Sequence, residues 1–175
     1  MNRQMDQQAH RVIGLAREVH GRIRAGLLRG IINTSFGESK YHTVNEESIA
    51  EMVDTFYIKI RDDQLLGPIF ADTIGDDWEP HLDKMKRFWS SVLLATRTYK
   101  GNPMIAHLQL PRLEQHHFER WLQLWHETAA SLCSDDLAFL FVTKARMIGE
   151  RLLYAISTYH DSAILKTPEA VGEAI

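Results

Sequence analysis

The chain has 175 residues, a formal net charge of −3, 45% hydrophobic and 25% charged residues, and a single cysteine. These values fit one ordinary domain with its own core and exclude a disordered or membrane-embedded chain. They also argue against nucleic acid as a partner, against an internal disulfide or a Cys-x-x-Cys site, and, since no apolar run is long enough, against a transmembrane segment. The expected location is cytoplasmic.

Residues 1–42 differ in character from the rest. Between Arg11 and Arg29 lie Arg17, Arg22 and Arg24 against the single acid Glu18, while Val12, Leu15, Val19, Ile23 and Leu27 recur at helical spacing. The outline is a basic amphipathic helix weakened by Gly14, Gly21, Gly26 and Gly30. A targeting or membrane-surface segment would share that pattern. The preferred reading is an extension that packs on the domain or sits in an oligomer contact, followed by a linker from Thr34 to Tyr41.

Residues 43–158 form the predicted domain. Thr43 or Asn45 caps a helix with acids in its first turn and an apolar stripe of Ile49, Met52, Val53, Phe56 and Ile60. Tyr57 falls on the same stripe, where a phenol needs a partner. A backbone carbonyl, a buried water or a polar ligand would each serve. Gly67 and Pro68 break this helix, with Phe70 just beyond. Asp76 or Asp77 caps the next helix, which carries Pro80 in its first turn. On that helix His81, Met85, Phe88 and Val92 share one face, with Leu82, Trp89 and Leu93 on a neighbouring one.

The stretch Tyr99–Trp121 is punctuated by Gly101, Pro103 and Pro111, which permit only a short helix carrying His107. A fresh helix follows, with Phe118, Trp121, Leu122, Trp125 and Ala129 inward and His116, His117 and His126 off the stripe and solvated. Cys133 reads as a small buried filler. A last helix, capped near Ser134–Asp136, buries Leu137, Leu140, Phe141, Ile148, Leu152 and Ile156, and residues 159–175 read as a frayed tail. No segment alternates with period two, so the domain is predicted to be all-α. One histidine on a short rigid mount, with polar donors on long helices, is a layout able to grip a haem. A non-haem helical interaction domain with a structural His107 stands beside it.

The ordered set "ESIAEMVDTFY", "LGPIF", "WEPH", Phe88–Trp89, "YKGNPMIAHLQLP" and "HFERWL" resembles the group III truncated haemoglobins and spans about Thr43 to Ile156. The resemblance implies a two-over-two helical sandwich around haem b. In it His107 would be the proximal iron ligand, Tyr57, His81 and Trp121 the distal groups, and Phe70, Met85, Phe88 and Trp89 the lining of the haem cavity. It implies dioxygen, nitric oxide and carbon monoxide as ligands, at a pentacoordinate or weakly hexacoordinate iron. Two neutral donors, the Tyr57 hydroxyl and the Trp121 indole N–H, would hold a partly anionic ligand and slow its release. The expected task is therefore nitric oxide detoxification by dioxygenation, or peroxide chemistry, with an unidentified reductase, rather than oxygen delivery. A haem-based sensor that signals through residues 1–42 is the alternative. Arg97, Lys100 and Arg112 lie near the proximal loop, and none is singled out as a propionate partner. The family core does not need the N-terminal extension, which leaves oligomerisation through it open.

Overall fold

The computed structural model describes residues 39–110 and 113–164. The predicted amphipathic helix, most of the linker, Pro111, Arg112 and the end of the tail lie outside these residues. The described part contains six helices: α1 (Glu46–Asp62), α2 (Leu66–Ile74), α3 (Trp78–Leu93), α4 (Pro103–Leu108), α5 (Gln115–Leu132) and α6 (Asp135–Ile164). Among the described residues the only β pairing is an isolated bridge between Tyr41 and Cys133.

Of the two candidate caps, Asn45 takes the role. Its side chain accepts from Ser48 N at 2.8 Å and Ser48 Oγ accepts from Asn45 N at 2.9 Å, a reciprocal capping box. Glu46 and Glu47 in the first turn and Lys59 and Arg61 in the last complement the helix dipole. The predicted stripe of α1 is fully buried at Ile49, Met52, Val53, Phe56 and Ile60. At about 1.5–3 kcal/mol for each large side chain removed from water, that stripe alone accounts for much of the drive to pack α1.

Gly67 and Pro68 lie inside the first turn of α2 and do not separate helices as expected. The break falls earlier, at Asp63. Asp63 Oδ1 accepts from Leu65 N and Leu66 N at 3.1 and 2.9 Å, so this side chain ends one helix and starts the next. A proline three residues into a helix forfeits only an N–H that has no intrahelical partner. Gly67 is required by space, since a Cβ there would stand 2.9 Å from the Arg61 carbonyl oxygen.

α1 packs on α3 and on α5, α5 packs on α6, α2 lies against α1 and touches α5, and α4 lies against α6. The pairs α1 with α3 and α5 with α6 pack together through α1 and α5, an all-α domain as the periodicity predicted and the two-over-two arrangement that the resemblance implied. The core centres on Phe56, Trp125 and Phe141, and Trp125 Nε1 donates to the Phe141 carbonyl at 3.2 Å. Tyr41, read as the end of a linker, is a core residue. Its backbone brackets the α5–α6 junction (Tyr41 N to Leu132 O 3.0 Å, Ser134 N to Tyr41 O 2.8 Å), and its hydroxyl donates to Glu51 at 2.6 Å, where Lys40 also pairs. Cys133 is buried as expected, and burial pushes its thiol up to about 11. α6 continues through Ile164, past Tyr159, where the polar composition suggested a tail. No helix among the described residues is long and apolar enough to cross a membrane.

Candidate functional site

The six helices leave a cavity of about 460 Å³ between them. Phe56 and Tyr57 of α1, Phe70 of α2, His81, Met85, Phe88 and Trp89 of α3, His107 of α4, and Trp121 and Trp125 of α5 all line it, with Ile148, Gly149 and Leu152 of α6 closing one side. The eight residues singled out from the sequence thus meet at one place. A surface cleft of about 510 Å³ at Lys59, Asp63, Leu65 and Arg120 is slightly larger. It opens to solvent, and its Asp63 is already satisfied by Arg120 Nε at 2.7 Å and by the two backbone N–H groups of α2. The apolar cavity with convergent polar groups is the better candidate.

The mount of His107 is explained by its neighbours. Asn102 Oδ1 accepts from Met104 N and Ile105 N at 3.0 and 3.2 Å, and Pro103 takes the first helical position, where its missing N–H costs nothing. His107 Nδ1 lies 2.7 Å from the Pro103 carbonyl oxygen. A carbonyl only accepts, so Nδ1 carries the proton and Nε2 keeps its lone pair, the tautomer a metal-binding imidazole needs. Gly101 passes under Tyr99: a Cβ there would lie 2.4 Å from the phenol oxygen. Tyr99 in turn packs edge-on against Phe88 (centroids 5.2 Å apart) and is held by Ser91 Oγ, which accepts from Tyr99 N at 2.9 Å. Two non-glycine residues of the connecting loop, Ala95 and Arg97, adopt positive φ (56° and 57°). A hydroxyl network running from Glu46 through Ser90 and Thr96 to Thr98 spans that loop.

The polar groups of the α1 and α3 wall are short of partners. Tyr57 is only 6% exposed, and its hydroxyl makes no hydrogen bond among the described residues. Burial raises its pKa well above the ordinary phenol value, so it stays a neutral donor. Of the three partners open to it, a backbone carbonyl is not present among the described residues. His81 Nε2 is buried without a partner, and burial, with Lys84 and His107 adding to it, lowers the imidazole to about 4, so the ring is neutral at pH 7. The two rings meet edge-on at 5.1 Å, and Tyr57 also meets Phe56, Phe70 and Trp78 edge-on at 5.1, 5.9 and 6.4 Å. The Arg61 guanidinium sits 4.9 Å over Trp78. Trp121 is fixed by Phe56 at 5.6 Å and by Trp125, which lies parallel to it at 5.7 Å.

Among the lining residues not singled out from the sequence, Trp125, Phe118, Gly149 and His117 bear on the site. Trp125 and Phe118 read only as members of an apolar stripe, and Gly149 carried no signal at all. His117, expected in solvent, lies partly buried in the cavity wall. Its Nδ1 accepts from Glu114 N at 3.0 Å, completing a capping box for α5, and burial, followed by the neighbouring His116, lowers its pKa. A His three residues after an acid at a helix start is the signal that could have revealed it.

The fold and the cavity together define a globin of the two-over-two kind. Residues 41–138 match the model of the bacterial-like globin family. The chain is 37% identical over 121 residues to a group 3 truncated hemoglobin of Campylobacter jejuni, an alignment covering 66% of this chain and 95% of that protein. It superimposes on the crystal structure of a group III truncated hemoglobin from Campylobacter jejuni with a TM-score of 0.65 and 36% identity, covering 69% of this chain and 97% of the other. The chain belongs to the bacterial-like globins and, among them, to the group III truncated haemoglobins. Membership implies a haem cofactor and the binding of diatomic gases. The residues present fit that group: an apolar cavity, an imidazole with one nitrogen tied back and the other free, and buried polar atoms left over for a ligand.

Proposed function

We propose that the chain holds haem b through His107 Nε2 and binds dioxygen, nitric oxide and carbon monoxide beneath Tyr57, Trp121 and His81, for redox chemistry on the held ligand rather than oxygen delivery. The observation that carries this is the pairing, within one cavity, of an imidazole whose Nδ1 is tied to Pro103 with a buried phenol that has no partner among the described residues. When bound, the haem supplies the metal centre that takes up the gas and exchanges electrons with it. The protein supplies the surroundings. Phe70, Met85, Phe88 and Trp89 keep water out, the Tyr57 hydroxyl and the Trp121 N–H donate to the ligand, and the neutral His81 adds no charge that would repel nitric oxide or attract anions.

Two neutral donors in a dry site stabilise a partly anionic ligand by roughly 1 kcal/mol each, more where water is excluded. That favours retention, and retention suits conversion of nitric oxide to nitrate or reaction with peroxide. Iron returned to the ferrous state then needs an electron donor, for which we propose a cytoplasmic reductase. The test is the visible spectrum of the protein given haem, ferric and then ferrous under carbon monoxide, beside His107→Gly. A sharp Soret band with a carbonyl shift in the parent and altered haem binding in the variant is the expected result. No stoichiometric uptake in either would overturn the proposal. A nitric oxide pulse on the oxygenated protein that gave no fast ferric conversion would remove the dioxygenase role.

A further inference from the structure

The hydroxyl network beside the mount of His107 is a single chain with a carboxylate at one end. Ser90 Oγ donates to Glu46 Oε1 at 2.6 Å and lies 2.8 Å from Thr96 Oγ1, which in turn lies 3.0 Å from Thr98 Oγ1. Ser91 Oγ lies 3.5 Å from Thr98 Oγ1 and accepts from Tyr99 N at 2.9 Å. Each hydroxyl has one proton to give. Ser90 gives its proton to the carboxylate and so accepts from Thr96. Thr96 then accepts from Thr98, whose other acceptor, the Arg87 carbonyl, is farther off at 3.4 Å, and Thr98 accepts from Ser91. Glu46 thereby sets the direction of every bond back to the Tyr99 N–H. The hydroxyl links shorten towards the charge, from 3.5 through 3.0 and 2.8 to 2.6 Å, the trend that mutual polarisation along a chain produces.

The chain holds a loop whose backbone is strained. Ala95 and Arg97, on either side of Thr96, have φ of 56° and 57°. Left-handed backbone is unfavourable for residues with a Cβ and persists where the surroundings over-determine it. Thr96 is bonded on both sides, and its partner Ser90 is buried, at 3% exposed, which shelters the middle of the chain from water. The two ends belong to different halves of the site. Glu46 opens α1, the helix that carries Tyr57. Tyr99 lines the cavity, packs on Phe88 and covers Gly101, after which Asn102 and Pro103 begin the mount of His107.

From this chain, and resting on the proposed haem function, we infer that Glu46, Ser90 and Thr96 are positioning residues for His107, acting through Tyr99. The local bonds to Asn102 and Pro103 aim the imidazole. The hydroxyl chain sets where the whole mount stands relative to α1, and so how far the imidazole lies from the Tyr57 wall.

The experiment compares the parent with Thr96→Val, which keeps the shape of the side chain and loses the hydroxyl, and with Thr96→Ser, which keeps the hydroxyl. In the haem-free proteins, hydrogen exchange read by NMR should be several-fold faster at the Tyr99 amide in Thr96→Val, with the amides in the middle of α1 and α5 unchanged. In the haem-loaded proteins, transfer of haem to a haem-free acceptor protein should be several-fold faster in Thr96→Val, and the iron–imidazole stretching band of the ferrous form should shift or broaden. Thr96→Ser should restore all three readouts. Glu46→Gln, which removes the charge and leaves an acceptor, should move them in the same direction by a smaller factor, and it serves as the test should Thr96→Val not fold. An unchanged Tyr99 amide with unchanged haem transfer, a Thr96→Ser protein that behaves like Thr96→Val, or an even rise in exchange across the whole domain would overturn the inference. Failure of the parent to take up haem would remove the proposed function, while exchange at Tyr99 would still decide whether the chain holds the loop.

Discussion

Tyr57→Phe separates a ligand-facing phenol from a structural one, because it pushes two quantities in opposite directions. The substitution removes one oxygen from a side chain that is 6% exposed and leaves the ring in its edge-on contacts with Phe56, Phe70 and His81. A hydroxyl hydrogen-bonded to the protein would cost roughly 1 kcal/mol of stability when deleted, and more if its partner were stranded. The Tyr57 hydroxyl has no such partner among the described residues, so deletion should leave ligand-free stability unchanged or raise it by up to about 1 kcal/mol, through removal of a buried polar group from an apolar wall. Bound dioxygen should show the opposite response. Loss of one donor in a dry cavity, worth about 1–2 kcal/mol, corresponds to a roughly five- to thirtyfold faster release. Denaturant unfolding of the ligand-free protein and stopped-flow displacement of dioxygen read the two halves. A variant destabilised by more than about 1 kcal/mol with unchanged release would show that the phenol serves the fold and refute the reasoning.

Two further outcomes follow from the same wall and mount. His81 is held near 4 in the folded protein against 6.5 when unfolded, so both states are neutral above pH 6.5, and as pH falls towards 4 only the unfolded chain takes up the proton. Stability should therefore fall across that window, by at most about 3 kcal/mol and by less where solvent reaches part of the ring; thermal unfolding between pH 7 and pH 4.5 should show a slope that His81→Leu flattens. Asn102→Ala removes the acceptor for two N–H groups of α4, at about 1 kcal/mol. Haem should then pass to an acceptor protein faster, with little change in the melting temperature of the sandwich, and a large drop in melting temperature would contradict a locally built mount.

Much of the site was legible because helical period states which side chains face inward, and the inward polar residues Tyr57, His81 and Trp121 are few. The punctuation Gly101, Pro103 and Pro111 likewise limited the mount of His107 to a short helix, while the cap supplied by Asn102 showed only in the structure. Period says nothing of which inward residues meet one another. Trp125 was an anonymous member of a stripe until α1, α3 and α5 brought Phe56, Trp89 and Trp121 around it. α2 was hidden because Gly67 and Pro68 signal a break when taken alone, whereas Asp63, three residues before Leu66, accepts from the first N–H groups and lets them start a helix. His117 was placed in solvent on the strength of the stripe, and the fold puts a wall of the cavity there.

The contacts that orient His107 are all close to it in sequence: Asn102 caps the turn, Pro103 starts it and its carbonyl accepts from the imidazole Nδ1–H, and Gly101 seats Tyr99. Tyr57 and Trp121, by contrast, are brought together only by the crossing of α1 and α5. The cavity thus joins a prefabricated bracket to a wall assembled from distant parts of the chain. Lengthening the segment between Leu94 and Tyr99 would shift the bracket bodily without turning the ring it carries, whereas a shift of α1 by a single residue would take the phenol out of the cavity. One half of the site is free to drift in sequence, and the other is tied to the register of the whole sandwich.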